Sequence, residues 1–248
     1  MHAGAQPLAG LDGEEILRAW EAAAVAKPVG RSAAVLREVI TDLPVDATAL
    51  PVGRCDTLLL ALRVGTFGSP LSGVSSCPAC DAAVDVDVDL AEVLACLPPV
   101  DTDYADEYVL GHGDYVVRYR LPTTADLLSA ADADDPAVRI AARCVSSIEK
   151  SGAAVVLADA PPDVLAEIGE HMSAADPAAD IRLGVRCPEC ATEWSALLDV
   201  TAIFHAELTG AALQIISEID ELASRYGWSE QQILALTPTR RRTYLELR

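Results

Sequence analysis

Two short signatures carry the chemistry that this sequence offers: Cys77-Pro78-Ala79-Cys80 and Cys187-Pro188-Glu189-Cys190. In such a knuckle a tight turn, restricted by the proline, lets two thiolates approach one metal while backbone N–H groups support the sulfurs. Two knuckles supply a tetrahedral four-cysteine site. Four thiolates leave no open position for water or substrate, so one Zn2+ on Cys77, Cys80, Cys187 and Cys190 is structural in character. The same sulfur set also suits iron, as in a rubredoxin-like site. A thioredoxin-style redox pair requires its CxxC at a helix start after a strand, whereas strands follow both pairs here. Two independent disulfides or free thiols stay open as further readings, and the long gap between the pairs is unusual for a compact zinc ribbon.

The other cysteines, Cys55, Cys96 and Cys144, sit in apolar helical surroundings and read as buried thiols. His2, His112, His171 and His205 form no metal-binding or catalytic spacing with one another. His205 lies near the second knuckle in sequence, but four thiolates already complete a shell. Phosphate-binding loops, dinucleotide fingerprints, HExxH and GxSxG are all missing. Gly111-His112-Gly113-Asp114 reads as a turn between strands. Carboxylates are too plentiful for any pair to stand out as acid and base. These readings point away from an enzyme.

The elements around the knuckles repeat. Aligning Cys77 with Cys187 also aligns Asp89 with Asp199, Leu90 with Val200 and Val93 with Ile203. Each knuckle is followed by a strand and then by a helix start. Val84, Val86 and Val88 alternate with Asp85, Asp87 and Asp89, the period of a half-buried strand. Those aspartates lack the glycine turn and terminal glutamate of a calcium loop. Ile181, Leu183 and Val185 alternate into the second pair. The halves therefore predict two β-hairpins clamped face to face by one metal. The stretch between them is an insertion with a strand at Tyr115–Arg120, a helix opening at Thr123 with Asp126, a helix from about Ala137 to Ile148, and another through Leu165 and Ile168.

Before the first knuckle the chain reads helical. Asp12 and Glu15 have capping-box spacing, a second helix spans about Ser32 to Ile40, and a third spans Leu58 to Phe67. Leu43-Pro44 and Leu50-Pro51-Val52-Gly53 are loop signals between them. After the second knuckle, Phe204, Leu208, Ala212, Ile215, Ile216, Ile219, Leu222, Ala223 and Tyr226 recur at three and four residues, a long amphipathic helix stopped by Gly227. Ser229 with Gln232 caps a short helix, and Thr237-Pro238 opens a last one.

Composition narrows the partners. The 248 residues carry a formal net charge of -20, with half of them hydrophobic and few aromatic. Such acidity repels nucleic-acid phosphates and anionic lipid headgroups. No uninterrupted apolar run reaches membrane-spanning length, and Met1 to Gly10 lacks a basic leader; the expected setting is the cytoplasm, with no nucleic-acid or membrane partner. Arg240, Arg241, Arg242 and Arg248 contrast with the acidic remainder. They read either as a solvated helix face or, with Trp228 and Tyr244, as a partner-binding element.

A family resemblance rests on four stretches. They are Leu50-Pro51-Val52-Gly53-Arg54-Cys55-Asp56 with Leu58-Leu59, Leu62-Arg63 and Phe67-Gly68 before the first CPxC; Tyr119-Arg120-Leu121-Pro122-Thr123 with Asp126-Leu127-Leu128; the second CPxC with Ile203-Phe204; and Tyr226-Gly227-Trp228-Ser229-Glu230, Ile233-Leu234-Ala235-Leu236 and Arg241-Arg242-Thr243-Tyr244-Leu245. Together they resemble the zinc-knuckle proteins encoded with phage-like contractile injection systems, and more loosely the baseplate-hub assembly proteins of contractile-tailed phages. Cys55 departs from the charged residue expected there. The resemblance implies a baseplate or tail-assembly component whose partners are baseplate, hub or tape-measure proteins.

The resulting expectation is an α+β protein with a helical region at 1–70, a zinc-clamped hairpin domain at 71–200 with a helical insertion at about 122–175, and a helical region at 201–248. A zinc-ribbon regulator of transcription machinery or nucleic acid is the rival reading.

Overall fold

The computed structural model describes residues 5, 7–41, 43, 45–99 and 104–247. His2, the loop residue Pro44 and Arg248 lie outside them. The fold is α+β, as expected, and is arranged around the helix that precedes the first knuckle.

That helix, α3 (Val52–Phe67), is apolar on all sides, with Cys55, Leu58, Leu59, Leu60, Ala61, Leu62 and Val64 buried. An all-round apolar helix belongs in the middle of a core. It is wrapped by α1 (Gly13–Val25) and α2 (Arg31–Val39), and by two later helices, α4 (Leu90–Cys96) and α8 (Val200–Tyr226). The Asp12–Glu15 capping box that opens α1 is present. α3 starts earlier than its sequence suggests, because Gly53 is helical rather than a loop residue. The Gly53 amide donates to the Asp176 carboxylate at 2.9 Å, and a Cβ on Gly53 would lie 2.0 Å from that carboxylate. The glycine serves close approach, not a turn.

Strands β1 (Pro70–Ser76) and β2 (Ala83–Asp89) pair antiparallel, as do β7 (Arg182–Arg186) and β8 (Glu193–Leu197). Between these hairpins lies the insertion. It holds a four-stranded antiparallel sheet in the order β3 (Tyr108–His112), β4 (Tyr115–Tyr119), β5 (Val145–Lys150) and β6 (Ala153–Ala154). Helices α5 (Thr124–Ala130), α6 (Pro136–Cys144) and α7 (Pro162–Ala175) complete it. Its own core gathers Leu110, Val117, Tyr119, Ile148, Val164 and Ile168. The turn at Gly113-Asp114 joins β3 to β4 as expected. The helix read through Ile148 ends instead at Cys144, because Val145 to Lys150 pair with β4.

The insertion is fastened to the start of α3. The Val52 amide donates to Pro122 O at 3.0 Å, and Asp176 holds Gly53. Its helices meet at buried Asp126, which accepts from Arg120 Nη1 and Nη2 (2.6 and 2.9 Å), Arg143 Nε (2.6 Å) and the Thr123 amide (3.0 Å). Burial alone would raise the Asp126 pKa, but Arg120, the Thr123 amide and Arg143 outweigh it and hold the carboxyl well below the usual range.

α8 ends at Gly227, which takes the left-handed conformation (φ 70°) of a helix C-cap. Short α9 (Glu230–Leu234) and α10 (Pro238–Glu246) fold back, with the Ser229–Gln232 box and the Thr237 cap in place.

Candidate metal centre

Each knuckle is the turn of a hairpin, and the two turns are built alike. The Cys77 amide donates to Ala82 O at 2.9 Å and the Asp81 amide to Cys77 O at 2.9 Å. In the second knuckle the Cys187 amide donates to Thr192 O at 2.9 Å and the Ala191 amide to Cys187 O at 3.0 Å. The residue after the second cysteine has positive φ in both, 57° at Asp81 and 60° at Ala191. Neither is glycine, and left-handed backbone costs an L-residue roughly 1–2 kcal/mol. The same strain at the same position, with matching hydrogen bonds, shows that both turns adopt one backbone conformation.

The hairpins bring all four sulfurs together within 4.8 Å of one another. Cys77 Sγ lies 3.6 Å from Cys190 Sγ, and Cys80 Sγ lies 3.7 Å from Cys187 Sγ. Tetrahedral Zn–S bonds of about 2.3 Å give sulfur–sulfur edges of about 3.8 Å. The cluster therefore fits one tetrahedral ion. Cys77 and Cys187 are buried, against Val84 and Val185, while Cys80 and Cys190 face outward. Trp194, Val86 and Ala196 close the underside.

Without a cation four thiolates this close repel. The Thr192 hydroxyl, 3.2 Å from Cys190 Sγ, and the Thr192 amide pull the Cys190 thiol down to about 6. The Ala82 amide favours the Cys80 thiolate too, but neighbouring Cys190, Cys77 and Cys187 hold that thiol up at about 12. One sulfur ionises at the expense of the next, a conflict that a divalent cation removes. Thr192 is a contributor that the sequence reading misses. Its place two residues after a CPxC, opposite Ala82 in the other knuckle, is the available signal.

The remaining candidates lie elsewhere. His205 is outside the cluster. Burial, then Arg31, lowers its pKa, and its buried Nδ1 has no hydrogen-bond partner among the described residues. His171 Nδ1 bonds the Tyr119 hydroxyl, and His112 faces Asp163 at 3.5 Å. Cys55 and Cys144 are buried, and burial pushes both thiols up to about 11. Cys96 is exposed, contrary to expectation. It follows buried Leu94 by two residues, about 200° round the helix, and so faces water.

The C-terminal candidates divide. Arg241 is buried inside the chain's own fold, with Nε 3.0 Å from Glu218 of α8 and Nη1 2.9 Å from Leu236 O. Arg240 and Arg242 are exposed. Trp228 stacks on Tyr226 at 4.7 Å, and Tyr244 meets its edge at 4.9 Å.

The family model described as T4 bacteriophage base plate protein matches residues 21–205, a span that contains both knuckles and the whole insertion. No curated protein and no solved structure matches the chain.

Proposed function

The chain belongs to the T4 bacteriophage base plate protein family, and from that premise we propose that it is a structural or assembly component of the baseplate of a phage-tail-like contractile injection system. The observation that carries this reading is the match running from the first helices through both knuckles, so that the clamp belongs to the family-bearing part of the chain. Cys77, Cys80, Cys187 and Cys190 would hold one structural Zn2+. When bound, the ion supplies a crosslink between two distant hairpins, worth on the order of 10 kcal/mol of apparent free energy in small zinc modules.

The chain's own residues make a platform of that crosslink. Leu90 and Leu94 behind the first hairpin, and Val200, Phe204 and Leu208 behind the second, sink into the core around α3. The hairpins are thereby fixed to one base, and their outer faces, with Val74, Asp85 and Arg186 exposed, are presented to other tail proteins. Baseplate, hub or tape-measure proteins are the partners. The Trp228–Tyr226–Tyr244 cluster with Arg240 and Arg242 offers a second contact surface. We assign no catalytic role and a cytoplasmic setting. α8 has the length and apolar composition of a membrane-crossing helix. Its Phe204, Leu208, Ala212 and Leu222 pack inside the fold, and its Glu207 and Glu218 pair with Arg63 and Arg241, which supports reading it as a core helix.

The test is a pull-down of tagged protein from its native host, read by mass spectrometry against an untagged control, with metal content measured on the same preparation. Enrichment of baseplate, hub, spike or tape-measure proteins together with about one zinc per chain is expected. Enrichment of polymerase subunits or nucleic acid without tail proteins would overturn the reading.

A further inference from the structure

The insertion has an open apolar groove that the clamp and the core leave unused. α6 and α7 form its walls, the segment at 156–158 closes one end, and its volume is about 880 Å³. Among its lining residues Val138 is 56% exposed and Val156 67% exposed, with Leu165 and Met172 beside them. α6 is strongly amphipathic, yet Cys144 is its only fully buried residue. An amphipathic helix normally turns its apolar side into a core; this one turns Ala137, Val138 and Ala141 into the groove. Small residues, Ala137, Ala141 and Ala166, lie among its larger apolar ones, and Gly169 lines it in the middle of α7. A Cβ there would meet nothing within 4 Å. Glycine in a helix interior costs about 1 kcal/mol relative to alanine, and no contact within the described chain explains it.

The charges around the groove have one sign. Asp135 lines it, Asp134 adjoins it, and Asp159 follows the closing segment. Asp134 and Asp159 have no ion-pair partner among the described residues. The cations of α6 face elsewhere: Arg143 is bound to Asp126, and Arg139 falls on the far side by the 100° helical step.

We propose that this groove docks an amphipathic helix of another baseplate protein, its large apolar side chains on the Val138–Gly169–Met172 floor and its flanking lysines or arginines against the acidic rim. The assignment rests on the baseplate reading for the identity of the partner, and on the groove's shape and charge for its chemistry. A second copy of this acidic chain is the wrong partner electrostatically.

Gly169→Leu tests it. The new Cβ meets nothing within 4 Å, the side chain extends into the open groove, and helix propensity rises, so the zinc-loaded full chain is expected to keep or gain melting temperature. Two fluorescent helical peptides with the same leucine face, one flanked by lysine and one by glutamate, serve as probes in anisotropy titrations. The lysine peptide is expected to bind wild type in a salt-dependent way and to lose at least about tenfold in affinity to Gly169→Leu, while the glutamate peptide binds neither. Equal binding of both peptides, or unchanged binding by the variant, overturns the proposal. So does a wild-type dimer that Gly169→Leu dissolves. Repeating the host pull-down with the variant separates the two readings. Loss of one tail protein seen with wild type supports the groove. An unchanged set of tail proteins overturns the groove alone, and a wild-type pull-down without tail proteins overturns the baseplate reading.

Discussion

The first knuckle with its helix and the second knuckle with its helix begin as copies and end as different devices. Their turns share hydrogen bonds and a strained residue, and the helices after them start at matching positions, capped by Asp89 and Asp199. The first buried residues also match: Leu90 with Val200, and Leu94 with Phe204. Then they part. α4 stops at Cys96, because Pro98 and Pro99 follow, whereas α8 meets no proline and runs 27 residues to Gly227. At the position of Glu207 the first half has Leu97, already past the end of its helix. Glu207 is bound by Arg63 Nε and Nη2 (2.9 and 2.5 Å), and the same guanidinium holds Gly68 O and Pro70 O at the entry to β1. Knuckle geometry is thus shared, while the attachment of each half to the core is individual.

The sharpest test of the shared part is to remove one buried ligand from each half. Cys77→Ala and Cys187→Ala are each expected to lose stoichiometric zinc and to unfold the paired hairpins, at a cost of several kcal/mol out of the order-of-10 kcal/mol binding energy. Metal analysis and thermal melts of both variants check this. Unchanged metal content and melting temperature in Cys187→Ala would sink the clamp, and a loss in one half only would break the equivalence.

Next in size is the individual attachment. Arg63 is 3% exposed, so Arg63→Ala leaves Glu207 and two carbonyls without their donor and is expected to cost about 3–5 kcal/mol in denaturant melts. Replacing both partners, as in Arg63→Met with Glu207→Leu, should recover much of that loss. Zinc stoichiometry should stay intact in the double variant, since the pair acts on the base and not on the knuckle.

A third difference is electrostatic. Burial, then the cap Asp199, then Asp176, raises Asp56 to about 7, whereas Asp89, the counterpart of Asp199 in the first half, sits in the open beside Ser69. Because the folded pKa lies above the unfolded value, Asp56 favours the fold at low pH, and that contribution is lost as pH rises through about 7. Asp56→Asn should therefore raise stability above pH 7, by up to about 4 kcal/mol, with the gain disappearing below about pH 4. Melts between pH 4 and 8 read it directly, and a pH-independent difference would contradict the assignment.

The smallest effect compares the caps. Asp89→Ala is expected to cost about 1 kcal/mol, the ordinary loss of an N-cap. Asp89 accepts from the Ala91 amide and Asp199 from the Ala202 amide, so Asp199→Ala also loses one cap bond, but it relieves Asp56 as well, and at pH 8 its cost should be smaller. Equal costs at every pH would show that the two carboxylates do not interact.

These contrasts also mark what local pattern reveals. The cysteine spacing, the Val84–Val88 alternation, three capping boxes and the α8 stripe are all legible, because each depends on neighbours a few residues apart. The end of α6 is not. Ala137 to Ile148 contains no glycine or proline, and only the pairing of Val145–Lys150 with β4 decides that its last part is a strand. Gly53 reads as a turn because its reason, Asp176, lies 123 residues away. Arg63 and Glu207 are 144 residues apart, and no short window contains both. Within the cysteine cluster the four sulfur donors are readable. The part played by Thr192 depends on the fold of the turn.

The separation of the knuckles also has a consequence in time. Cys80 and Cys187 are 107 residues apart, and a ribosome adding about 5–20 residues per second needs on the order of 5–20 s to travel between them. During that interval the nascent chain offers only two of the four clustered sulfurs, half of a coordination shell. Full tetrahedral capture waits until the insertion has been synthesised and the second hairpin has emerged. On the proposed clamp, metal loading would report that synthesis has passed the second knuckle, and a product that stops inside the insertion would carry only half of the sulfur set.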